Sequence, residues 1–219
     1  MPFQKLINDR LNVLLTVLVL LFFLAPALEE SQFVIITSPF ALLVVAVFSL
    51  RAVPLSQKSF WQMILFVVIG FFLDLILTFT IQPFLEGVLT IAVRAIYISV
   101  FALVLALLTR RLLTSMTDSP LVSFKIGLCG YLLIGVLWSI LYALGYALDR
   151  GSLSALESAQ LPFFYFSYSV LTGLRFSTVF PLNLWSITAC FLEAIIGEVF
   201  LVVFIARMVA SFIRQQLQS

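Results

Sequence analysis

The stretch that decides the fold is Leu161-Pro-Phe-Phe-Tyr-Phe-Ser-Tyr-Ser-Val-Leu-Thr172, followed at once by Gly173-Leu-Arg-Phe-Ser-Thr178. It lies between two long apolar segments, too hydrophobic for an ordinary loop and too short to cross a bilayer. A spanning helix needs about 20 apolar residues, and a run of about 10–14 reads as a re-entrant segment. Its two ends must then return to the same side. Irregular backbone after such a helix survives at membrane depth only if buried in protein or lining a water-filled cavity. Layout alone leaves a second arrangement equally open, an amphipathic helix lying flat in the interface.

Composition sets the surroundings of this stretch. Of 219 residues, 63% are hydrophobic and 10% charged, against about 25% charged in a soluble domain. That excludes a soluble enzyme and a nucleic-acid-binding domain, and a net charge of +2 implies no polyanionic partner. There is no histidine, so the commonest metal ligand and general base is missing. Cys129 and Cys190 lie in apolar runs and read as packing residues rather than a disulfide or metal site.

Six apolar segments are expected to span the membrane: Leu11–Leu28, Phe33–Leu50, Phe60–Ile81, Val88–Thr109, Ile126–Leu148 and Leu184 to about Phe212. The first reads as a span, with an uncleaved signal peptide the weaker alternative. Pro39 should kink the second helix or leave it partly unwound near its outer end. Nine of the twelve cations gather on one side, Lys5, Arg10, Arg51, Lys58, Arg110, Arg111, Lys125, Arg207 and Arg214. The opposite links carry Glu29, Glu30 and Glu86. The positive-inside rule then makes both termini cytoplasmic.

Tyr165-Phe-Ser-Tyr-Ser-Val-Leu-Thr-Gly-Leu-Arg-Phe-Ser-Thr-Val-Phe-Pro181 resembles the pore of the tetrameric potassium-channel superfamily, roughly Y-F-S-F-x-T-L-T-T-V-G-Y-G-D-I-T-P. It looks closest to the small bacterial six-span members, the two-pore or ion-channel-domain proteins. Tyr165, Phe166, Ser167, Leu171, Thr172 and Pro181 stand where that family has them. Residues 131–142 look like its outer helix and residues 192–209 like its inner helix. The resemblance covers roughly residues 126–214 and is a matter of layout before that. It implies an all-α integral membrane fold: six transmembrane helices plus a re-entrant pore helix, as a potassium-channel-like homotetramer. Residues 1–120 would form a four-helix peripheral transmembrane bundle. Residues 121–219 would form a pore domain, with outer helix 126–148, pore helix 161–172, filter 173–178 and inner helix 184–212.

The filter departs from the family pattern. T-V-G-Y-G becomes Gly173-Leu174-Arg175-Phe176-Ser177, and the next aspartate becomes Thr178. A carbonyl-lined filter needs extended strands whose successive C=O groups point inward. Alternate residues there need conformations that mainly glycine tolerates. Arg175 and Ser177 occupy the two glycine positions, and Gly173 replaces the threonine that follows Thr172, at the end of the pore helix. Potassium selectivity is not expected.

Arg175 adds a fixed cation, four times over in a tetramer. Two unit charges about 10 Å apart repel by about 1.7 kcal/mol at an effective dielectric of about 20. Rings of Arg or Lys favour anions. The other orientation turns Arg175 away from the axis, to pair with Glu157 or Glu193. Gly197 aligns with the family's gating-hinge glycine, and it equally suits close helix contact. Glu193, four residues earlier on the same face, reads as support behind the pore, while Glu198 lies on a different face and suits contact with a neighbouring helix.

Asp74 and Arg94 are the central ionisable residues of the first four helices. Each lies about eight residues inward from the shared turn at Gln82–Glu86, so a buried intramembrane salt bridge is expected. One arginine in the fourth segment does not make a voltage sensor. The Phe-rich composition is lipid-facing and core packing; Trp61 and Trp185 sit near span ends, as interfacial belts require, and Trp138 needs no cofactor. The expected function is passive ion conduction through a non-potassium-selective filter, open to anions, in the plasma membrane. The partners are lipid, permeating small ions and three further copies of the chain; no enzyme activity, cofactor, metal or nucleic acid is expected. The rivals are a non-conducting scaffold or regulatory subunit plugged by Leu174 and Phe176, and a membrane enzyme or transporter.

Overall fold

The computed structural model describes residues 2–29, 34–79, 83–114, 119–154, 161–174 and 177–218. Seven helices account for most of them: α1 (Pro2–Glu29), α2 (Val34–Ala52), α3 (Gln57–Phe79), α4 (Pro83–Thr114), α5 (Pro120–Leu148), α6 (Leu161–Thr172) and α7 (Leu184–Gln218). Among the described residues there is one isolated β-bridge, Leu153 with Pro181.

Five helices are long and apolar enough to cross a membrane: α1, α3, α4, α5 and α7. Helix α2 has 19 residues, Val34–Ala52. The chain therefore has the make-up of a multi-pass, all-helical membrane protein. Several helices run further than apolar content alone suggests. Helix α5 begins at Pro120, not Ile126, because Ser119 caps it: its side chain accepts from the Val122 N–H at 3.4 Å, and Pro120 fits the first turn. Helix α7 continues past Phe212 to Gln218, since polar side chains extend a helix beyond hydrocarbon as readily as apolar ones. Pro39 lies inside α2, with helix from Val34 onward. Its missing N–H falls in the second turn and removes the hydrogen bond to the Ile35 carbonyl, yet the helix runs on to Ala52.

Helix α5 is the hub. Of its spanning stretch 61% is buried, against 22% for α7. It packs on α4, α6, α7 and α1. Glycines make that possible. A methyl group at Gly127 would overlap the ring of Phe204, at Gly130 the ring of Phe200, and at Gly135 the ring of Tyr168. The missing side chains of one helix thus receive the rings of two others. One apolar core runs from Leu11, Leu14 and Leu18 of α1 through Tyr97 and Phe101 of α4 to Ile126 and Leu133 of α5 and Phe200 of α7.

Candidate pore site

Short helix α6 is enclosed rather than laid on a surface. Phe163, Phe164, Phe166, Ser167, Tyr168 and Leu171 are buried, against α5, α7 and α1. Phe22 of α1 meets the rings of Phe164 and Tyr168 at 5.1 and 4.4 Å. Polar anchors fix its depth. Tyr168 donates to the Leu132 carbonyl at 2.5 Å, and Tyr131 to the Leu171 carbonyl at 3.2 Å.

The two flanks of α6 are joined. Ser154 N–H donates to the Phe180 carbonyl and Leu182 N–H to the Ser152 carbonyl, both at 2.9 Å. Asn183 Nδ2 donates to Asp149 Oδ2 at 2.9 Å. Asn183 also starts α7 by a reciprocal cap: its Oδ1 accepts from Ser186 N–H at 2.9 Å, while Ser186 Oγ accepts from Asn183 N–H at 3.3 Å. The chain leaves α5 and enters α7 at neighbouring points, and α6 lies between those points in the sequence.

Glu193 is the buried carboxyl of this site, 0% exposed. Tyr142 of α5 donates to its Oε2 at 2.6 Å. Its Oε1 meets the Ser167 hydroxyl of α6, which also lies 2.9 Å from the Gly135 carbonyl. One carboxyl therefore ties three helices together behind α6. Tyr142 and Gly135 carry no signal in isolation; a hydroxyl and a glycine on an apolar helix are ordinary.

The remaining candidates are distributed as follows. Thr172 ends α6, its hydroxyl donating to the Tyr168 carbonyl at 2.6 Å. Gly173 has φ +70 with open space where a Cβ would stand, the left-handed conformation that turns the chain out of the helix at little cost to glycine. Leu174 is 62% exposed. Arg175 and Phe176 lie outside the described residues, as does Glu157. Ser177 Oγ accepts from the Val179 N–H at 3.1 Å, and Thr178 is exposed. Gly197 receives Leu171 of α6, whose Cδ1 a Cβ would strike, so close helix contact is a use this glycine has in the fold.

In the first four helices, Asp74 and Arg94 are 6% and 7% exposed and interact electrostatically across the α3–α4 contact. Tyr97, three residues on from Arg94, is fully buried. Cys129 is buried, its Sγ 3.9 Å from the Leu11 carbonyl, and Cys190 is partly buried; both are free thiols. Trp61 and Trp185 are exposed, at 60% and 66%, and Trp138 packs on Tyr142 with ring centroids 5.9 Å apart.

These observations define a class: an all-helical, multi-pass membrane protein with a short buried helix between its last two long ones. Compared with protein-family models, curated proteins and solved structures, the chain matches none.

Proposed function

We propose that the chain is the pore-forming subunit of an ion channel, a homotetramer built like the potassium-channel superfamily, with a filter that does not select potassium. On this reading α6 is the re-entrant pore helix, α5 the outer helix and α7 the inner helix. The second helix crosses as a sixth span, both termini are cytoplasmic and the site of action is the plasma membrane. The observation that carries it is the enclosure of α6 by α5 and α7, with Glu193 joined to Tyr142 and Ser167 behind it.

Two further features support assembly. Helix α7 leaves Phe191, Ile195, Val199, Val202 and Ile205 exposed along its length. Among them stands Glu198, also exposed. Five residues on from Glu193, it lies about 140° round the helix, on the side away from α5 and α6. An ionisable group at that depth is costly in lipid and faces a protein interior or a water-filled cavity. A fourfold axis on that side supplies the cavity, and closed symmetry buries four copies of the 173–178 backbone.

The exposed Leu174 favours a second reading, a non-conducting channel-like scaffold in which Leu174 and Phe176 plug the axis. Two measurements test both. Mass determination in mild detergent is expected to give four subunits; a monomer or dimer as the sole species removes the channel-like assembly. Reconstituted vesicles are expected to pass labelled small ions; a tetramer without flux is the scaffold.

A further inference from the structure

The outer surface of α4 carries an open groove of about 540 Å³. Ala102, Ala106, Arg110 and Thr114 line it at four-residue spacing, one face of the helix, with Leu137 of α5 beside them. The two alanines leave the space that larger side chains would fill, so the floor is apolar up to Arg110. From Ala102 to Arg110 is about 12 Å along the helix, within the about 15 Å of hydrocarbon that one leaflet supplies. Ala102, Ala106 and Arg110 are exposed, so a ligand reaches the floor and the cation alike. The Thr114 hydroxyl is used within the helix, donating to the Arg110 carbonyl at 2.8 Å. Nothing among the described residues pairs with the Arg110 guanidinium.

Arg110 belongs to a cationic end of the molecule. Lys125 Nζ donates to Asn8 Oδ1 at 2.6 Å, Arg10 Nη1 to the Arg51 carbonyl at 3.4 Å, and Arg207 Nε to the Leu112 carbonyl at 2.8 Å. With the short link from α4 to α5, these bonds bring the start of α1, the ends of α2 and α4, the start of α5 and the late turns of α7 to one level. That level holds Arg10, Arg51, Arg110, Arg111, Lys125 and Arg207, against one carboxylate among the described residues, Asp9. Asp118, in the link, lies outside the described residues. The excess of charge selects the occupant. Copies of the chain inserted in one bilayer share an orientation, so a neighbouring copy would meet this level with the same cations. What complements it is an anion, and what complements the alanine floor is hydrocarbon. An anionic phospholipid supplies both, and basic pockets between membrane helices recruit such head groups.

We infer that the α4–α5 groove binds an anionic phospholipid, with one acyl chain along Ala102 and Ala106 and the phosphate at Arg110. The inference needs α4 and α5 to span a membrane, and it is independent of whether the chain conducts ions.

The full-length protein is reconstituted into equimolar dioleoylphosphatidylglycerol and dioleoylphosphatidylcholine, extracted in mild detergent, and the phospholipid that stays bound is analysed. Wild type should retain phosphatidylglycerol enriched about twofold or more over the vesicle. Arg110→Gln should return the ratio to that of the vesicle, and Arg110→Lys should keep most of the enrichment. Lys58→Gln removes a charge at the start of α3, outside the groove, and should leave the enrichment intact. Ala106→Phe fills the floor and should lower the enrichment with Arg110 still in place. No enrichment in wild type overturns the inference. Equal losses in Arg110→Gln and Lys58→Gln overturn it too, because the charge of the whole end then attracts the lipid. Enrichment unmoved by Ala106→Phe removes the acyl chain from the groove and with it the assigned site. A fall in subunit number on Arg110→Gln would put a second copy of the chain in the groove in place of lipid.

Discussion

Tyr142 of α5 donates a 2.6 Å hydrogen bond to Oε2 of Glu193 on α7, across 51 residues of sequence. The other carboxyl oxygen meets Ser167 of α6; loss of this one side chain strands the Tyr142 hydroxyl, while Ser167 keeps the Gly135 carbonyl as acceptor. Each unsatisfied group costs about 1–3 kcal/mol. Glu193→Ala is therefore expected to lower thermal stability in detergent by about 1–3 kcal/mol. Glu193→Gln should be far milder. Ser167 has one hydrogen and two acceptors in reach, Gly135 O and Glu193 Oε1. An amide supplies the second hydrogen to Ser167 while its oxygen still accepts from Tyr142. Equal losses for Ala and Gln would show that the contacts do not hold the helices together.

Asp74 and Arg94 are expected to form a coupled buried pair. Asp74→Asn alone should leave an unbalanced guanidinium and cost about 3–5 kcal/mol, while Asp74→Asn with Arg94→Gln should cost much less than the sum of the single changes. Thermal unfolding of the four proteins gives the coupling directly. Simple additivity would mean that each side chain is held by other neighbours.

Gly197 can be tested as a packing residue. A Cβ there would collide with Leu171 of α6, and overpacking of this kind costs about 1–3 kcal/mol. Gly197→Ala should be destabilising, and Leu171→Ala in the same chain should relieve part of that loss. If Gly197→Ala leaves stability unchanged but alters open probability in reconstituted channels, the glycine serves as a hinge instead.

Two charges of opposite sign should set what permeates. Wild-type protein is expected to show no selectivity for potassium over sodium, and small anions should pass in preference to cations. Arg175→Glu should shift the reversal potential in a chloride gradient towards cation permeation. Arg175→Gly should not restore potassium selectivity, because Gly173 and Ser177 still lack the family's hydroxyl and glycine. Glu198→Gln should move the ratio the other way, towards anions, with the tetramer intact. Potassium-selective wild-type current contradicts the filter reading. A ratio unmoved by Arg175→Glu takes that side chain off the conduction path, and one unmoved by Glu198→Gln does the same for the carboxylate.

The sequence by itself determined the membrane class, the order of the helices and the presence of a short one between the last two long ones. These properties are written in local composition, as apolar run length against bilayer thickness. It also put Glu193 and Glu198 on opposite sides of one helix, because five residues turn it by about 140°.

Which side is the inside, only the tertiary structure decided. Glu193 is buried because Tyr142 and Ser167, 51 and 26 residues away in sequence, arrive beside it; several other hydroxyls on apolar helices would have looked equally suitable. The same holds for Gly127, Gly130 and Gly135, which read as unremarkable small residues until Phe204, Phe200 and Tyr168 fill the space they leave. Helix ends and apolar stretches are properties of neighbouring residues, whereas a buried hydrogen bond or a ring seated on a glycine depends on two distant segments meeting at one depth and one rotation, and that is set when the helices pack.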